Sequence, residues 1–111
     1  METRIQKEKG ATIISVKGRM DAVSSPGFEK QLFDLMDQGQ KDFVIDLGEL
    51  EYISSAGLRV ILGTANKLKE MKGRLFLCSL KDVVREIFEI SGFATLIPTC
   101  DSVDSALSRM S

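Results

Sequence analysis

Apolar and polar positions alternate along this chain at two different periods, and the switches between those periods mark its elements. Ile5 to Glu8 and Thr12 to Val16 read as strands, with Ile13, Ile14 and Val16 giving the second its β-branched character. Lys9-Gly10 between them is a turn signal, so the two runs predict a hairpin. Phe28, Leu32, Leu35 and Met36 then recur at i, i+4, i+7 and i+8, the stripe of an amphipathic helix. Ser25 followed by Pro26 predicts the helix start, as N-cap and first helical residue. Gly39 predicts its end. Phe43-Val-Ile-Asp-Leu47 is an apolar run with one acid, the pattern of a strand covered on both faces.

A second helical face follows, made of Leu58, Ile61, Leu62, Ala65 and Leu68, with Gly73 as its stop. Arg74-Leu-Phe-Leu-Cys78 reads as the next strand. Ser79 with Asp82 three residues on resembles a capping box for a third helix, whose inward face is Val83, Val84, Ile87 and Phe88 and whose stop is Gly92. Ala94 to Ile97 predicts a short strand before Pro98. Asp101 or Ser102 caps a last helix with Val103, Ala106, Leu107 and Met110 turned inward. The order β-β-α-β-α-β-α-β-α predicts an α/β fold. Its sheet is mixed but mainly parallel, with an antiparallel N-terminal hairpin and helices packed on the sheet.

The 111 residues suffice for one domain, residues 1–111, and not for two. A chain of this size buries roughly two thirds of its unfolded surface, enough for a core without staples. A net charge of −1, with no basic patch, argues against nucleic acid and anionic membrane as partners. The polar start METRIQKEKG lacks an apolar signal region, and no apolar run approaches the roughly 20 residues of a membrane span. A cytoplasmic protein is expected. A zinc site needs four N or S ligands, and the chain holds two cysteines and no histidine, so no metal or other cofactor is expected. Cys78, inside an apolar strand, reads as a small buried hydrophobe.

The chemistry of the chain concentrates at Ile53-Ser-Ser-Ala-Gly57, where an apolar run meets the second helix. It looks like half of a nucleophile elbow, but Ile53 replaces the first glycine and no histidine exists to serve as base. A phosphate-accepting role for Asp46 would need neighbouring acids for magnesium, and the first two strands end without them. No Gly-Lys-Ser/Thr loop and no GxGxxG motif follows a strand. Asp46 is expected instead to hydrogen-bond the chain that follows it. No catalytic residue is assigned, and an enzyme is not expected. Two readings of the serines stay open. Ser54 or Ser55 caps the helix, or the cap doubles as a modification site, because a helix N-terminus favours negative charge and a phosphate there suits the fold.

At these residues the sequence resembles the STAS family, specifically the anti-sigma factor antagonists of bacteria. The resemblance covers nearly the whole chain. It is carried by the order of elements, Gly18-Arg-Met-Asp21, Phe43-Val-Ile-Asp-Leu47, Ile87-Phe88 with Ser91-Gly-Phe93, and above all Tyr52-Ile-Ser-Ser-Ala-Gly-Leu58. It implies a small STAS-like α/β protein that binds an anti-sigma factor serine kinase and so releases a sigma factor. It further implies that the kinase phosphorylates one serine at this strand–helix junction, which ends binding, and that a serine phosphatase restores the active form. The family pattern is commonly Asp-Ser-Ser/Thr-Gly-Leu, with the serine after the Asp phosphorylated. Anchored on Gly57-Leu58, that serine is Ser55. Ser54 stands where the Asp usually is and is the rival acceptor; Ala56 stands where Ser or Thr often is. Asp21 maps to a recurrent acid beside the junction. The partner surface implied is Asp21, Ser54, Ser55, Ala56, Gly57, Leu58 and Arg59. Two other readings compete: a STAS scaffold or interaction subunit without a phosphoswitch, and a nucleotide or small-anion binding module using the same helix N-terminus.

Overall fold

A computed structural model describes residues 1–110. Strands β1 (Glu2–Glu8) and β2 (Ala11–Met20) pair antiparallel. Lys9 and Gly10 between them both take positive φ, 53° and 81°, as the two-residue turns that match strand twist require. The chain continues through α1 (Ser25–Asp37), β3 (Asp42–Ile53), α2 (Ser55–Glu70), β4 (Arg74–Cys78), α3 (Asp82–Ser91), a 3₁₀ turn (Phe93–Thr95), β5 (Thr99–Cys100) and α4 (Val103–Met110). The sheet order is β1-β2-β3-β4-β5, and every pair after the hairpin is parallel. The mixed sheet expected from the pattern is therefore the one observed.

Each crossover advances one strand in the same direction, so α1, α2 and α3 fall on one face of the sheet. Phe28, Leu32 and Met36 of α1, Leu58, Ile61 and Leu68 of α2, and Val84 and Phe88 of α3 share one buried cluster there with Phe43, Ile45 and Leu47. Helix α4 covers part of the other face, where Ala106 and Leu107 meet Ile13, Val44, Phe76, Cys78 and Cys100. Burial on both faces explains why Phe43-Val-Ile reads as an unbroken apolar run.

Strand β3 runs six residues past Leu47, the last position that its apolar pattern marked. Two irregularities hide the extension. Ser15 pairs with Asp46 but Lys17 with Glu49, and Gly18 pairs with Leu50 but Arg19 with Tyr52. Each step inserts one extra residue into β3, a β-bulge. Inward positions therefore fall at Leu47, Leu50 and Ile53, three apart instead of two, and all three are buried. Asp46 accepts the Gly48 N–H at 2.9 Å across the first bulge, which satisfies a backbone donor that the ladder leaves unpaired there.

Several local expectations are corrected. Ser25 is not the cap of α1: Ser24 occupies that position, and buried Ser25 donates its hydroxyl to the Asp21 carbonyl. The Ser79–Asp82 capping box does not form. Ser79 takes φ 62° and donates to the Asp101 carbonyl, and Lys81 precedes the helix without a side-chain cap. Val83 points outward, 59% exposed. Ala94 to Ile97 is no strand; Phe93–Thr95 is a 3₁₀ turn, and the strand lies beyond Pro98. Proline lacks a donor but keeps an acceptor, and the Pro98 carbonyl takes the Leu77 N–H at 3.0 Å, so pairing with β4 begins there. At the end of α2 the left-handed residue is Lys72, φ 60°. Gly73 serves close approach: a Cβ on it would lie 2.2 Å from the Lys41 carbonyl oxygen.

Candidate functional site

The junction of β3 and α2 is pinned to the end of β2. The Ser54 N–H donates to the Met20 carbonyl at 2.8 Å, so Asp21 and Ser55 each lie one residue beyond the same backbone hydrogen bond. Ser54 has the extended conformation of an N-cap, φ −89° and ψ 173°. Its hydroxyl accepts the Gly57 N–H at 3.2 Å, satisfying one of the donors that a helix start leaves open. Of the two serines, Ser54 is thus the cap. Ser55 is exposed, and among the described residues its hydroxyl has no hydrogen-bond partner.

The rest of the motif divides by depth. Ala56 is half-buried and Arg59 exposed. Gly57 and Leu58 are buried. A Cβ on Gly57 would come within 2.8 Å of Met20 Cγ and 2.9 Å of Ile53 Cγ1, so this glycine lets α2 settle directly on the ends of β2 and β3. The first turn of α2 holds no acidic residue. The partial positive charge of its N-terminus therefore meets no carboxylate within the turn.

Asp21 shapes the opposite rim. Its Oδ1 accepts the Val23 N–H at 3.0 Å and the Ser24 N–H at 2.9 Å, an Asx turn. The Ser24 hydroxyl accepts the Asp21 N–H at 3.0 Å and donates to the Arg19 carbonyl, also at 3.0 Å. The turn presents Val23 to solvent, 90% exposed. The Arg19 guanidinium sits 4.3 Å over the Tyr52 ring on the neighbouring strand. Sequence reasoning missed Val23, Ser24 and this Arg19–Tyr52 pair. An Asp followed three residues later by Ser before a helix is the signal that marks the turn. The ring contact has no sequence signal, because it depends on the second bulge of β3.

Hydrogen bonds, first the backbone N–H of Ser24, hold the Asp21 carboxyl below its ordinary value of 3.8. A carboxyl whose folded-state value is depressed stabilises the fold above its unfolded value, and that contribution is lost as pH falls through the folded one. The Asx turn is therefore expected intact at neutral pH and to loosen only in acid below 3.8. A carboxyl-carbon NMR titration of Asp21 checks this: a midpoint at or above 3.8 would show that the bonds do not hold the carboxylate.

No group of three or more His, Cys, Asp or Glu that could hold a metal occurs among the described residues. No helix among them is long and apolar enough to cross a membrane. A concavity of about 280 Å³ opens on the sheet at Arg4, Ser15, Lys17, Asp46 and Glu49, and none of its lining residues belongs to α2.

Known proteins share this architecture. The family model described as STAS domain matches residues 2–106. BtrV of Bordetella bronchiseptica, named as a candidate anti-sigma factor antagonist, is 42% identical over 106 residues, 96% of this chain and 91% of that protein. A crystal structure of an anti-sigma factor antagonist from Mycobacterium paratuberculosis is 25% identical and superimposes with a TM-score of 0.89, covering 97% of this chain and 92% of the other. The Bacillus cell fate determinant SpoIIAA, solved in its phosphorylated form, shares the fold at 18% identity and a TM-score of 0.77, over 99% of this chain and 100% of that one. The family-model match across nearly the whole length and the 42% identity to BtrV show that the chain belongs to the STAS domain family.

Proposed function

We propose that this protein is an anti-sigma factor antagonist that binds an anti-sigma factor serine kinase through the rim formed by Asp21, Ser54, Ser55, Ala56 and Arg59. Gly57 and Leu58 hold that rim in place from below. Binding releases the sigma factor. Phosphorylation of Ser55 ends binding, and a serine phosphatase restores it. Such an exchange takes place in the cytoplasm. The observation that carries this reading is the division of labour between the serines: Ser54 is occupied as the helix cap, whereas Ser55 is exposed with an uncommitted hydroxyl. The names of the relatives support the partner class, and a phosphorylated relative of the same fold supports the modification.

The mechanism needs no refolding. A phosphate adds about −1.5 to −2 charges at neutral pH. On Ser55 it stands at a helix N-terminus, where negative charge is favoured, so the free domain tolerates it. The same charge buried against a docked partner lacks its solvent. The test is incubation with the cognate kinase and ATP followed by phosphopeptide mapping. The phosphate is expected on Ser55. A phosphate on Ser54 would refute the assignment, since it would have to displace the cap bond to Gly57.

A further inference from the structure

Cys78 and Cys100 are separated in the chain by the whole of α3 and yet are paired residues on β4 and β5. Both are free thiols on the sheet face that α4 covers. Neighbouring strands lie about 4.7–4.9 Å apart. That spacing falls inside the range of about 4.4–6.8 Å between Cα atoms that a disulfide spans. The two sulfurs are not equivalent. Cys100 keeps 8% of its surface open, and Cys78 none. An Arg109 N–H of α4 lies 3.4 Å from Cys100 Sγ, and the same guanidinium stacks 4.9 Å from the Phe76 ring centroid. Both thiols are buried, and Cys100 is the one of the two that keeps an opening to solvent and a cation beside its sulfur.

We propose that Cys78 and Cys100 form a reversible oxidation site, in which hydrogen peroxide joins the two thiols as a disulfide that ties β5 and α4 to β4. The order of events follows from the asymmetry. Cys100 Sγ attacks the peroxide first; an S–O bond forms, the O–O bond breaks, and one water leaves. Cys78 then attacks Cys100 Sγ. The S–S bond forms, the S–O bond breaks, and the hydroxyl departs with the Cys78 proton as a second water. Two thiols are oxidised and one peroxide is reduced to two waters. Burial pushes the Cys78 thiol up to about 11, which leaves the first attack on peroxide to Cys100. The bond draws on no residue of the serine site and is independent of it.

The test uses the whole folded chain. It is treated with hydrogen peroxide, unfolded in an alkylating reagent, weighed intact and mapped by peptide. The expected result is a monomer lighter by two hydrogen atoms, with the Cys78 and Cys100 peptides linked, unchanged far-UV circular dichroism, and reversal by dithiothreitol. Arg109→Gln, which removes the cation beside Cys100 Sγ from an exposed position, is expected to slow linkage several-fold. Linkage between chains, linkage only in urea, or methionine oxidation without any Cys78–Cys100 link would overturn the proposal.

Discussion

Ser55→Asp is expected to bind the cognate kinase about 30- to several-thousand-fold more weakly than the unmodified protein. The range follows from roughly 2–5 kcal/mol for a desolvated charge left without a partner at an interface, at about 1.4 kcal/mol per tenfold. Ser55→Ala is expected to keep wild-type affinity and to lose the response to ATP. Both variants are expected to fold. The helix cap is Ser54, through its bond to the Gly57 N–H, so neither substitution removes the roughly 1 kcal/mol that such a cap contributes. An aspartate in the first turn of α2 is, if anything, favourable to the helix by about 0.3–1 kcal/mol. Stability and affinity thus separate, which makes the result easy to read. Titration calorimetry with the kinase, beside thermal unfolding of each variant, measures both. Equal affinity of the two variants would remove Ser55 from the docking surface.

The sequence carries much of this site because each part obeys a local rule. The turn to α2 needs a capping hydroxyl and small residues behind it, and Ser54-Ser-Ala-Gly57 supplies them in order. The helix stripes were legible for the same reason: Phe28, Leu32 and Met36 recur at the helical period and are buried together. What escaped depends on distant parts of the chain. The bulges of β3 shift its inward positions to a spacing of three, which no strand period predicts. Ser79 is drawn from its expected capping role because its hydroxyl meets the Asp101 carbonyl, which the sheet brings alongside. Val83 fits the helical face of α3 by spacing yet points outward. Which of the two serines caps and which is left free is also a matter of backbone geometry, since by residue type the two are identical.

Gly57 offers the sharpest test of how the fold positions the site, because the same helix contains its own control. Gly57→Ala places a Cβ within 3 Å of Met20 and Ile53, which are 0% and 2% exposed and would have to shift inside the core to admit it. Overpacking of a filled core costs about 1–3 kcal/mol. Replacing glycine by alanine within a helix returns at most about 1 kcal/mol. Steric cost outweighs the helical gain over most of this range, and Gly57→Ala is expected to be destabilised by up to about 2 kcal/mol, with a fall in Tm of roughly 4–8 °C for each kcal/mol in a domain of this size. Gly63→Ala, two turns further along α2, meets nothing within 4 Å and has only the helical gain. It is expected to be neutral or stabilised by up to about 1 kcal/mol. The opposite signs of one chemical change in one helix isolate the close approach as the cause. With Met20 and Ile53 held in the core, the clash is relieved by the first turn of α2 lifting away from β2, and that movement carries Ser55 with it. Kinase binding is therefore expected to weaken in Gly57→Ala and to stay at wild-type strength in Gly63→Ala. Thermal unfolding and affinity measured on both variants decide the point. Equal melting temperatures would mean that Met20 can move aside, and that the seat of α2, and with it the placement of the hydroxyl, is set by something other than this contact.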